Sequence, residues 1–302
     1  MDRISEALSK FIPPERILEK EPMRKHTSFR TGGDADRLIL IDTREELAGV
    51  LSFLRGEDLP FFILGNGTNL LVSDRGYRGS IIELSSEFKN ISISGEEILS
   101  GAGSLLVNIA ETALKEGLTG FEFASGIPGT VGGAIVMNAG AYGGEMKDIV
   151  TFVDVLTPEG EFKRLKNEEL SFGYRRSIIR EASYIVLEAE FKLRSGDREE
   201  IRLKMEELKE KRNEKQPLNF PSAGSTFKRP EGNFAGKLIM DAGLKGLRKG
   251  GAQVSEKHCG FIINTGDATS DDIISLINTV KERVYEDSGV MLEPEILMIG
   301  EF

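Results

Sequence analysis

The sequence has little cysteine, little histidine and no tryptophan: its 302 residues include one Cys, two His and no Trp. The single cysteine, Cys259, cannot form an internal disulfide or build a cysteine-rich zinc site. No H-E-x-x-H motif or cluster of His and Cys is present, so zinc-dependent hydrolysis is poorly supported and no metal site is predicted. Cys259 is most simply interpreted as a small buried apolar residue.

Long apolar runs and excess positive charge are also missing. No apolar stretch approaches the roughly 20 residues that span a bilayer, and the N-terminus is charged from Asp2 onward, unlike a secretory signal. We therefore expect a soluble, cytoplasmic protein. The formal net charge is −10, so nucleic acid and membrane are not expected partners, because phosphate surfaces require basic protein surfaces. Basic pairs such as Lys211–Arg212 could still meet an anionic small molecule, although such pairs are more often solvated surface.

A chain of this length is expected to form two or three domains. Hydrophobic periodicity predicts three α+β units with boundaries at 1–85, 86–197 and 198–302, and a return of the last few residues to the first unit is left open. The expected elements are strands at 38–41, 60–64, 70–72, 80–84, 149–156, 184–193 and 259–264, an alternating segment at 91–99, and helices beginning at Thr43, Ser104, Asp197 and Thr269.

Two glycine-rich segments are the candidate ligand sites. Gly65-Asn66-Gly67-Thr68-Asn69 lies between two short apolar runs, and residues 120–144 contain eight glycines. Glycine lets the backbone approach a ligand and turn its N–H groups toward an anion, although the first segment alone is equally well explained as a hairpin loop. Two such loops suit an extended diphosphate. Neither matches a P-loop or a Rossmann fingerprint, so those nucleotide folds are disfavoured.

Six motifs in colinear order resemble the UDP-N-acetylenolpyruvylglucosamine reductases, the MurB family. They are His26-Thr-Ser-Phe-Arg-Thr-Gly-Gly33, Leu64-Gly-Asn-Gly-Thr-Asn-Leu-Leu71, the 120–144 segment with Ala139-Gly-Ala-Tyr-Gly143, Phe172-Gly-Tyr-Arg175, Ala223-Gly-Ser-Thr-Phe-Lys228 and Leu292-Glu-Pro-Glu295. The resemblance covers nearly the whole chain, and six ordered motifs are far more specific than any one of them.

The resemblance implies a two-lobed FAD-binding module like that of vanillyl-alcohol-oxidase-type (PCMH-like) flavoproteins, followed by a third α+β domain that binds substrate. FAD would be bound without a covalent bond. The residues implied to hold FAD are Gly65, Asn66, Gly67, Thr68, Asn69, Ser125, Gly126, Ile127, Pro128, Gly129, Thr130 and Gly133. The implied reaction uses NADPH to reduce UDP-N-acetylglucosamine enolpyruvate to UDP-N-acetylmuramate for the bacterial cell wall.

Three residues match the family's catalytic positions. Arg175 would stabilise the developing enolate, Ser225 would donate a proton to the carbon that bears the ether oxygen, and Glu295 would assist the intermediate. From the residues alone, Arg175 is more simply read as a surface cation beside Arg176, and Ser225 as a turn or helix-cap serine. A carboxylate at Glu295 would repel an enolate unless its pKa were raised.

Tyr174, Lys215 and Lys228 match substrate contacts, and Lys suits phosphate as a mobile point charge. Arg175 is followed almost directly by the predicted strand 184–193, so we expect the shorter family form that lacks an inserted tyrosine lid. A monomer or weak oligomer is expected. Two alternatives remain open: a different FAD oxidase or dehydrogenase on the same module, and a nucleotide-binding module without catalysis.

Overall fold

The computed structural model describes residues 2–302. The helices are α1 (Arg3–Leu8), α2 (Arg44–Gly56), α3 (Leu106–Glu116), α4 (Val131–Val136), α5 (Ile178–Glu181), α6 (Arg198–Lys215), α7 (Ala235–Asp241) and α8 (Ser270–Ser288).

The strands occur both in runs and between helices, and most of them pair antiparallel, so the fold is α+β as predicted. They are β1 (Ile17–Pro22), β2 (Asp34–Ile41), β3 (Phe61–Leu64), β4 (Leu70–Val72), β5 (Tyr77–Leu84), β6 (Ile91–Ser94), β7 (Glu97–Gly101), β8 (Leu118–Thr119), β9 (Gly140–Ala141), β10 (Gly144–Glu145), β11 (Val150–Leu156), β12 (Phe162–Lys166), β13 (Ile185–Lys192), β14 (Arg194–Ser195), β15 (Arg248–Lys249), β16 (Ala252–Val254), β17 (Ile262–Asn264) and β18 (Leu297–Ile299).

The described chain divides into two compact units. Unit 1 comprises residues 1–19, 37–66 and 79–212, and unit 2 comprises 20–36, 67–78 and 213–302. The first position of unit 1 lies outside the described residues. The division into three domains at residues 85 and 197 stays a prediction.

Unit 1 is built around an antiparallel five-stranded sheet with the order β12-β11-β13-β7-β6. Side chains from β11 and β13 fill its core, including Val153, Val155 and Ala189, all fully buried. The ring of Phe191 on β13 meets Phe121 edge to face at 5.3 Å, a favoured aromatic geometry. The sheet therefore supplies the rigid support for the loops that follow α3 and α4.

Helix α3 packs its predicted apolar face into this core. Leu106, Ile109, Ala110 and Ala113 recur at i, i+3, i+4 and i+7 and are buried, as an amphipathic helix requires. The helix ends at Gly117, whose φ of 66° is a left-handed conformation that glycine adopts without a steric penalty.

Helix α2 begins where the sequence predicts. The Thr43 side chain accepts from the Glu46 N–H, and the Glu46 carboxylate accepts from the Thr43 N–H, which is a capping box. The adjoining strands β3 and β5 run parallel, with Phe61 opposite Ser80.

Unit 2 places helix α8 beside a small antiparallel sheet of order β15-β16-β17. Thr269 caps α8, and Ile273, Ile277, Val280 and Val284 are buried, as predicted. Near the C-terminus, β18 pairs in parallel with β4, with Leu297 opposite Leu70.

The alternating segment 91–99 is not one continuous element. It forms the antiparallel hairpin of β6 and β7, with Ile93 opposite Ile98 and Gly95 at a φ of 62° in the turn. The alternation of Ile91 to Ser94 stops at Gly95-Glu96, a glycine turn signal that the prediction of one segment passed over.

Candidate functional site

The two glycine-rich segments meet within unit 1. The Asn66 side-chain amide donates to the Pro128 carbonyl oxygen at 2.7 Å. A Cβ added at Gly65 would lie 2.7 Å from Thr130 Oγ1, closer than ordinary packing allows. Glycine at position 65 therefore permits the close approach of the two loops.

The second loop is held by local hydrogen bonds, and part of its backbone faces open space. Thr130 caps α4 by accepting from the Gly133 N–H. The Gly129 carbonyl accepts from the Leu106 N–H at 3.0 Å, which ties the loop to α3. Gly126 and Gly133 are exposed, and neither has an atom within 3.3 Å of where a Cβ would lie. A ligand can therefore approach this backbone without displacing protein atoms.

Arg212, from α6, lies against the same loop. A Cβ added at Gly126 would be 3.4 Å from its Cδ, and burial lowers the pKa of the Arg212 guanidinium. Arg212 was recognised in the sequence only as part of a basic pair, because its proximity to Gly126 depends on the path of α6. This arginine adds positive charge beside the predicted diphosphate loop.

The rest of the first glycine loop belongs to unit 2. The Gly67 carbonyl accepts from the N–H and the hydroxyl of Ser28, and a Cβ at Gly67 would lie only 1.9 Å from the His26 carbonyl oxygen. The Asn69 amide donates to the Glu295 carbonyl oxygen at 3.2 Å. Three of the six sequence motifs are thus joined within one unit.

Ser225 and Glu295 lie on neighbouring segments of unit 2. The Glu295 N–H donates to the Thr226 carbonyl at 2.8 Å, and the Lys228 N–H donates to the Glu293 carbonyl at 2.9 Å. Thr226 is fully buried, and its hydroxyl accepts from the Ile262 N–H. The side chain of Ser225, one residue earlier, is exposed, and Glu295 is half-buried. The buried threonine therefore anchors a short backbone ladder that carries both predicted catalytic residues.

Arg175 lies in a tight turn of unit 1. Gly173 and Arg176 exchange backbone hydrogen bonds in both directions, and Arg175 between them has a φ of 54°. Its guanidinium lies 5.3 Å from the centre of the Tyr174 ring. Arg176, by contrast, is exposed and pairs with Glu181 at 2.5 Å. The structure thus distinguishes two adjacent arginines that the sequence alone did not, since only Arg175 is half-buried.

The predicted substrate contacts differ in their surroundings. Lys228 Nζ forms an exposed ion pair with Glu293 at 3.0 Å. Lys215 is exposed at the end of α6, and the Tyr174 side chain is exposed as well. Between Arg175 and β13, residues 176–184 hold one single-turn helix, α5.

His258 and Cys259 are wholly or partly buried in the protein and held by local contacts. The His258 Nδ1 accepts from the Gly260 N–H at 3.1 Å, and burial lowers the pKa of the imidazole. Cys259 is buried, and burial raises the pKa of its thiol. Within residues 2–302, neither side chain forms a hydrogen bond with the glycine-rich segments 65–69 and 120–144.

Residues 2–302 contain neither a metal-binding cluster nor a helix that could span a membrane. No set of three or more His, Cys, Asp or Glu side chains in this range is arranged to hold a metal ion. None of the helices in this range combines the length and the apolar character needed to cross a bilayer.

Comparison with known proteins identifies the family. A family model described as the C-terminal domain of UDP-N-acetylenolpyruvoylglucosamine reductase matches residues 216–299. A protein of that name from Caldanaerobacter subterraneus subsp. tengcongensis is 55% identical over 294 residues, 97% of each chain. The chain belongs to this family. The resemblance inferred from the six motifs is confirmed.

Other members of the reductase family agree. The reductase of Clostridioides difficile is 51% identical over 294 residues, 97% of each chain. The crystal structure of the reductase from Thermus caldophilus superposes with a TM-score of 0.81 at 39% identity, covering 94% of this chain and 98% of that one. The glucose dehydrogenase Phl p 4.0202 shares the fold alone, with a TM-score of 0.50 and 13% identity over 65% of this chain and 45% of its own.

FAD is the cofactor of this reductase. A family model described as an FAD binding domain matches residues 35–166, and the residues in this range fit the group. Gly126 and Gly133 leave backbone open to a ligand, and the Ser104 hydroxyl is buried beside the loop with no hydrogen-bond partner among residues 2–302. The predicted two-lobed FAD-binding fold with an added C-terminal domain is confirmed.

Proposed function

We propose that this chain reduces UDP-N-acetylglucosamine enolpyruvate to UDP-N-acetylmuramate, a step in peptidoglycan precursor synthesis, with NADPH as reductant and Arg175, Ser225 and Glu295 acting on the substrate. Membership of the reductase family supports the reaction. The main support for the residue roles is the set of backbone hydrogen bonds between residues 226–228 and 293–295. These bonds keep Ser225 and Glu295 on adjacent segments.

When bound, FAD supplies hydride transfer from NADPH to the terminal methylene carbon of the enolpyruvyl group, which leaves enolate charge on the substrate. Arg175 stabilises that charge. A guanidinium is always protonated and offers paired N–H donors that match a carboxylate. The turn that carries Arg175 is formed by backbone hydrogen bonds of the protein itself, so its charge is preorganised, which is how a site lowers such a barrier.

Ser225 donates the proton that completes the reduction. Its Oγ proton goes to the carbon that bears the ether oxygen, where the enolate electron pair forms the new C–H bond. A serine hydroxyl is a weak acid, and it serves here because the enolate is strongly basic. The side chain is exposed beside the buried Thr226, so it can reach a bound substrate from a fixed backbone.

Glu295 assists at the same carbon chain. Its N–H and its carbonyl are both bonded, to Thr226 and to Asn69 respectively, so its backbone is fixed on two sides. An ionised carboxylate beside an enolate is repulsive, and Glu295 therefore acts either protonated or through a water molecule.

Lys215, Lys228 and Tyr174 contact the substrate. The ion pair of Lys228 with Glu293 is exposed, and exposed pairs contribute little. Lys228 can therefore exchange that partner for an anionic group of the substrate at small cost. Gly65 to Asn69, with the Ser125–Thr130 loop and Gly133, hold FAD without a covalent bond, and residues 176–184 make this the shorter family form.

We place the enzyme in the cytoplasm as a monomer or weak oligomer, without nucleic acid or membrane as a partner. Its single cysteine suits a reducing compartment, and its net charge of −10 disfavours anionic surfaces. Light scattering after gel filtration measures the oligomeric state.

The test compares adjacent arginines. Arg175→Lys should slow NADPH oxidation that depends on the enolpyruvyl substrate by about 100-fold, because lysine keeps the charge but loses the paired N–H donors of the guanidinium, and losing one such transition-state donor costs about that much. Arg176→Lys is the matched control and should retain the wild-type rate, because Arg176 is exposed and pairs with Glu181. Equal losses in both variants would refute the role of Arg175.

The same assay separates the rival functions. Another FAD oxidase or dehydrogenase predicts NADPH oxidation with oxygen and indifference to the enolpyruvyl substrate. A nucleotide-binding module without catalysis predicts a colourless protein without flavin absorbance.

A further inference from the structure

Asn138 has an unusual environment for a side chain with no predicted role. It is 1% exposed, and its φ of 41° lies in the left-handed region, which asparagine tolerates better than most residues. The oxygen and both N–H groups of its carboxamide have hydrogen-bond partners. Oδ1 accepts from the Lys147 N–H at 3.0 Å, and Nδ2 donates to Glu145 Oε2 at 2.9 Å and to the Gly173 carbonyl at 3.1 Å.

One of these partners belongs to the turn that carries Arg175. Gly173 opens that turn by exchanging backbone hydrogen bonds with Arg176. The turn is tied down again just after it ends, because the buried Ser177 hydroxyl donates to the Val136 carbonyl at 2.9 Å. Both ends of the turn are therefore fastened to the segment 136–138.

The second partner, Glu145, is a counter-charge for the same turn. Its carboxylate pairs with Lys147 at 2.7 Å, and the positive charge of Arg175 also attracts it. The hydrogen bond from Lys147 is the main reason that the pKa of Glu145 is lowered, and the bond from Asn138 and the Arg175 charge act in the same direction. Asn138 thus fixes both the backbone and a counter-charge of the arginine turn.

We propose that Asn138 is a positioning residue for Arg175: its carboxamide holds the Gly173 carbonyl and the Glu145 carboxylate, and so fixes the turn that presents the guanidinium to the substrate. The inference rests on the proposed role of Arg175. Asparagine suits the position because the site needs two donors and one acceptor on a short side chain in a left-handed backbone. Aspartate has the same shape but would turn an acceptor toward two acceptors.

The experiment uses Asn138→Asp in the FAD-loaded enzyme. In rapid mixing, bleaching of the flavin absorbance by NADPH should stay near the wild-type rate, and its return on adding enolpyruvyl substrate should slow by about 10- to 100-fold, no more than loss of the Arg175 guanidinium donors themselves. Calorimetric titration of the substrate without NADPH should give a Kd within about 3-fold of wild type, because Arg175 acts mainly on charge that develops during reaction.

The matched control is Asn264→Asp. Asn264 is equally buried, at 3%, and its carboxamide also makes three hydrogen bonds, to the Phe29 carbonyl and the Gly266 and Ala268 N–H groups. None of these groups belongs to the Arg175 turn. Asn264→Asp should destabilise the protein without a selective effect on the return of flavin absorbance.

A double variant decides whether Asn138 acts through Arg175. If it does, Asn138→Asp combined with Arg175→Lys should be no slower than Arg175→Lys alone, because residues that act as a unit are not additive. Multiplied effects, or no effect of Asn138→Asp, would overturn the inference. An Arg175→Lys enzyme with the wild-type rate would instead overturn the proposed role of Arg175.

Should Asn138→Asp not fold, Glu145→Gln keeps a hydrogen-bond acceptor for Asn138 and removes the carboxylate charge that pairs with Lys147 and acts on Arg175. It should slow the same step, again without adding to Arg175→Lys. An unchanged rate in Glu145→Gln would count against the inference.

Discussion

Substitution of Gly67 by alanine isolates the steric fit of the first glycine loop. The new Cβ would lie 1.9 Å from the His26 carbonyl oxygen, whereas carbon–oxygen contacts are normally no shorter than roughly 3.3 Å. The backbone must therefore move by more than an ångström. Such overpacking costs about 1–3 kcal/mol, and the movement also weakens the two hydrogen bonds from Ser28 to the Gly67 carbonyl, worth about 1 kcal/mol each.

Gly95→Ala is a matched control. Gly95 has a φ of 62°, against 60° for Gly67, so both variants carry the same strain of a left-handed alanine, about 1–2 kcal/mol. No atom lies within 4 Å of a Cβ at Gly95. The difference between the two variants therefore reports the clash with residues 26–27 together with the weakened Ser28 hydrogen bonds, and we expect about 3 kcal/mol.

The assay is urea unfolding followed by circular dichroism, together with the flavin content of each purified variant. Gly67→Ala should unfold at clearly lower urea and retain less FAD than Gly95→Ala. Indistinguishable midpoints and flavin contents would refute the close packing of the loop against residue 26.

Hydrogen bonds from the Ser5 N–H and Arg37 outweigh partial burial and lower the pKa of Asp2 from 3.8 to about 2, so Asp2 should add about 1 kcal/mol of stability, after discounting for its exposure. That stability is present above pH 3.8 and lost as the pH falls toward 2; Asp2→Asn should remove this acid-dependent part of the urea midpoint, and an unchanged pH profile would contradict it. Thr130→Val removes the cap of α4 and should cost about 1 kcal/mol with weaker FAD retention, measured by flavin titration; an unchanged FAD affinity would count against the loop as the cofactor site. Lys228→Met should raise the substrate Kd by about 10-fold through loss of a charged hydrogen bond. Glu293→Gln removes the competing carboxylate and should not raise the Kd. Calorimetry measures both values, and a larger rise in Kd for Glu293→Gln than for Lys228→Met would refute the contact of Lys228 with the substrate.

The sequence predicts the parts of this fold that depend on local signals. The capping residues Thr43 and Thr269 and the apolar face of α3 are encoded in neighbouring positions, and the structure confirms all three. The hairpin at 91–98 was missed because the turn residues Gly95-Glu96 were taken as part of one alternating segment.

The site is less predictable because it depends on residues far apart in the chain. The family motif points to Arg175, but the physical difference from Arg176, half-buried against exposed and paired with Glu181, appears only in the structure, since burial is a tertiary property. Arg212 packs against Gly126 although the two residues are far apart in the sequence. Asn138 lies in the 120–144 segment and Gly173 in the Phe172–Arg175 motif, but nothing in the sequence shows that the two are hydrogen-bonded, because the contact forms only in the folded chain.

The most direct test of the account measures the two halves of the reaction separately in Ser225→Ala. Bleaching of the flavin absorbance by NADPH should stay within about 2-fold of wild type, while its return on adding enolpyruvyl substrate should slow by about 100- to 10,000-fold, the usual contribution of a general acid. Ser222→Ala, three residues earlier in the same loop, should leave both rates unchanged. Equal slowing of both halves in Ser225→Ala would contradict the account, because the serine would then act on the cofactor and not on the substrate.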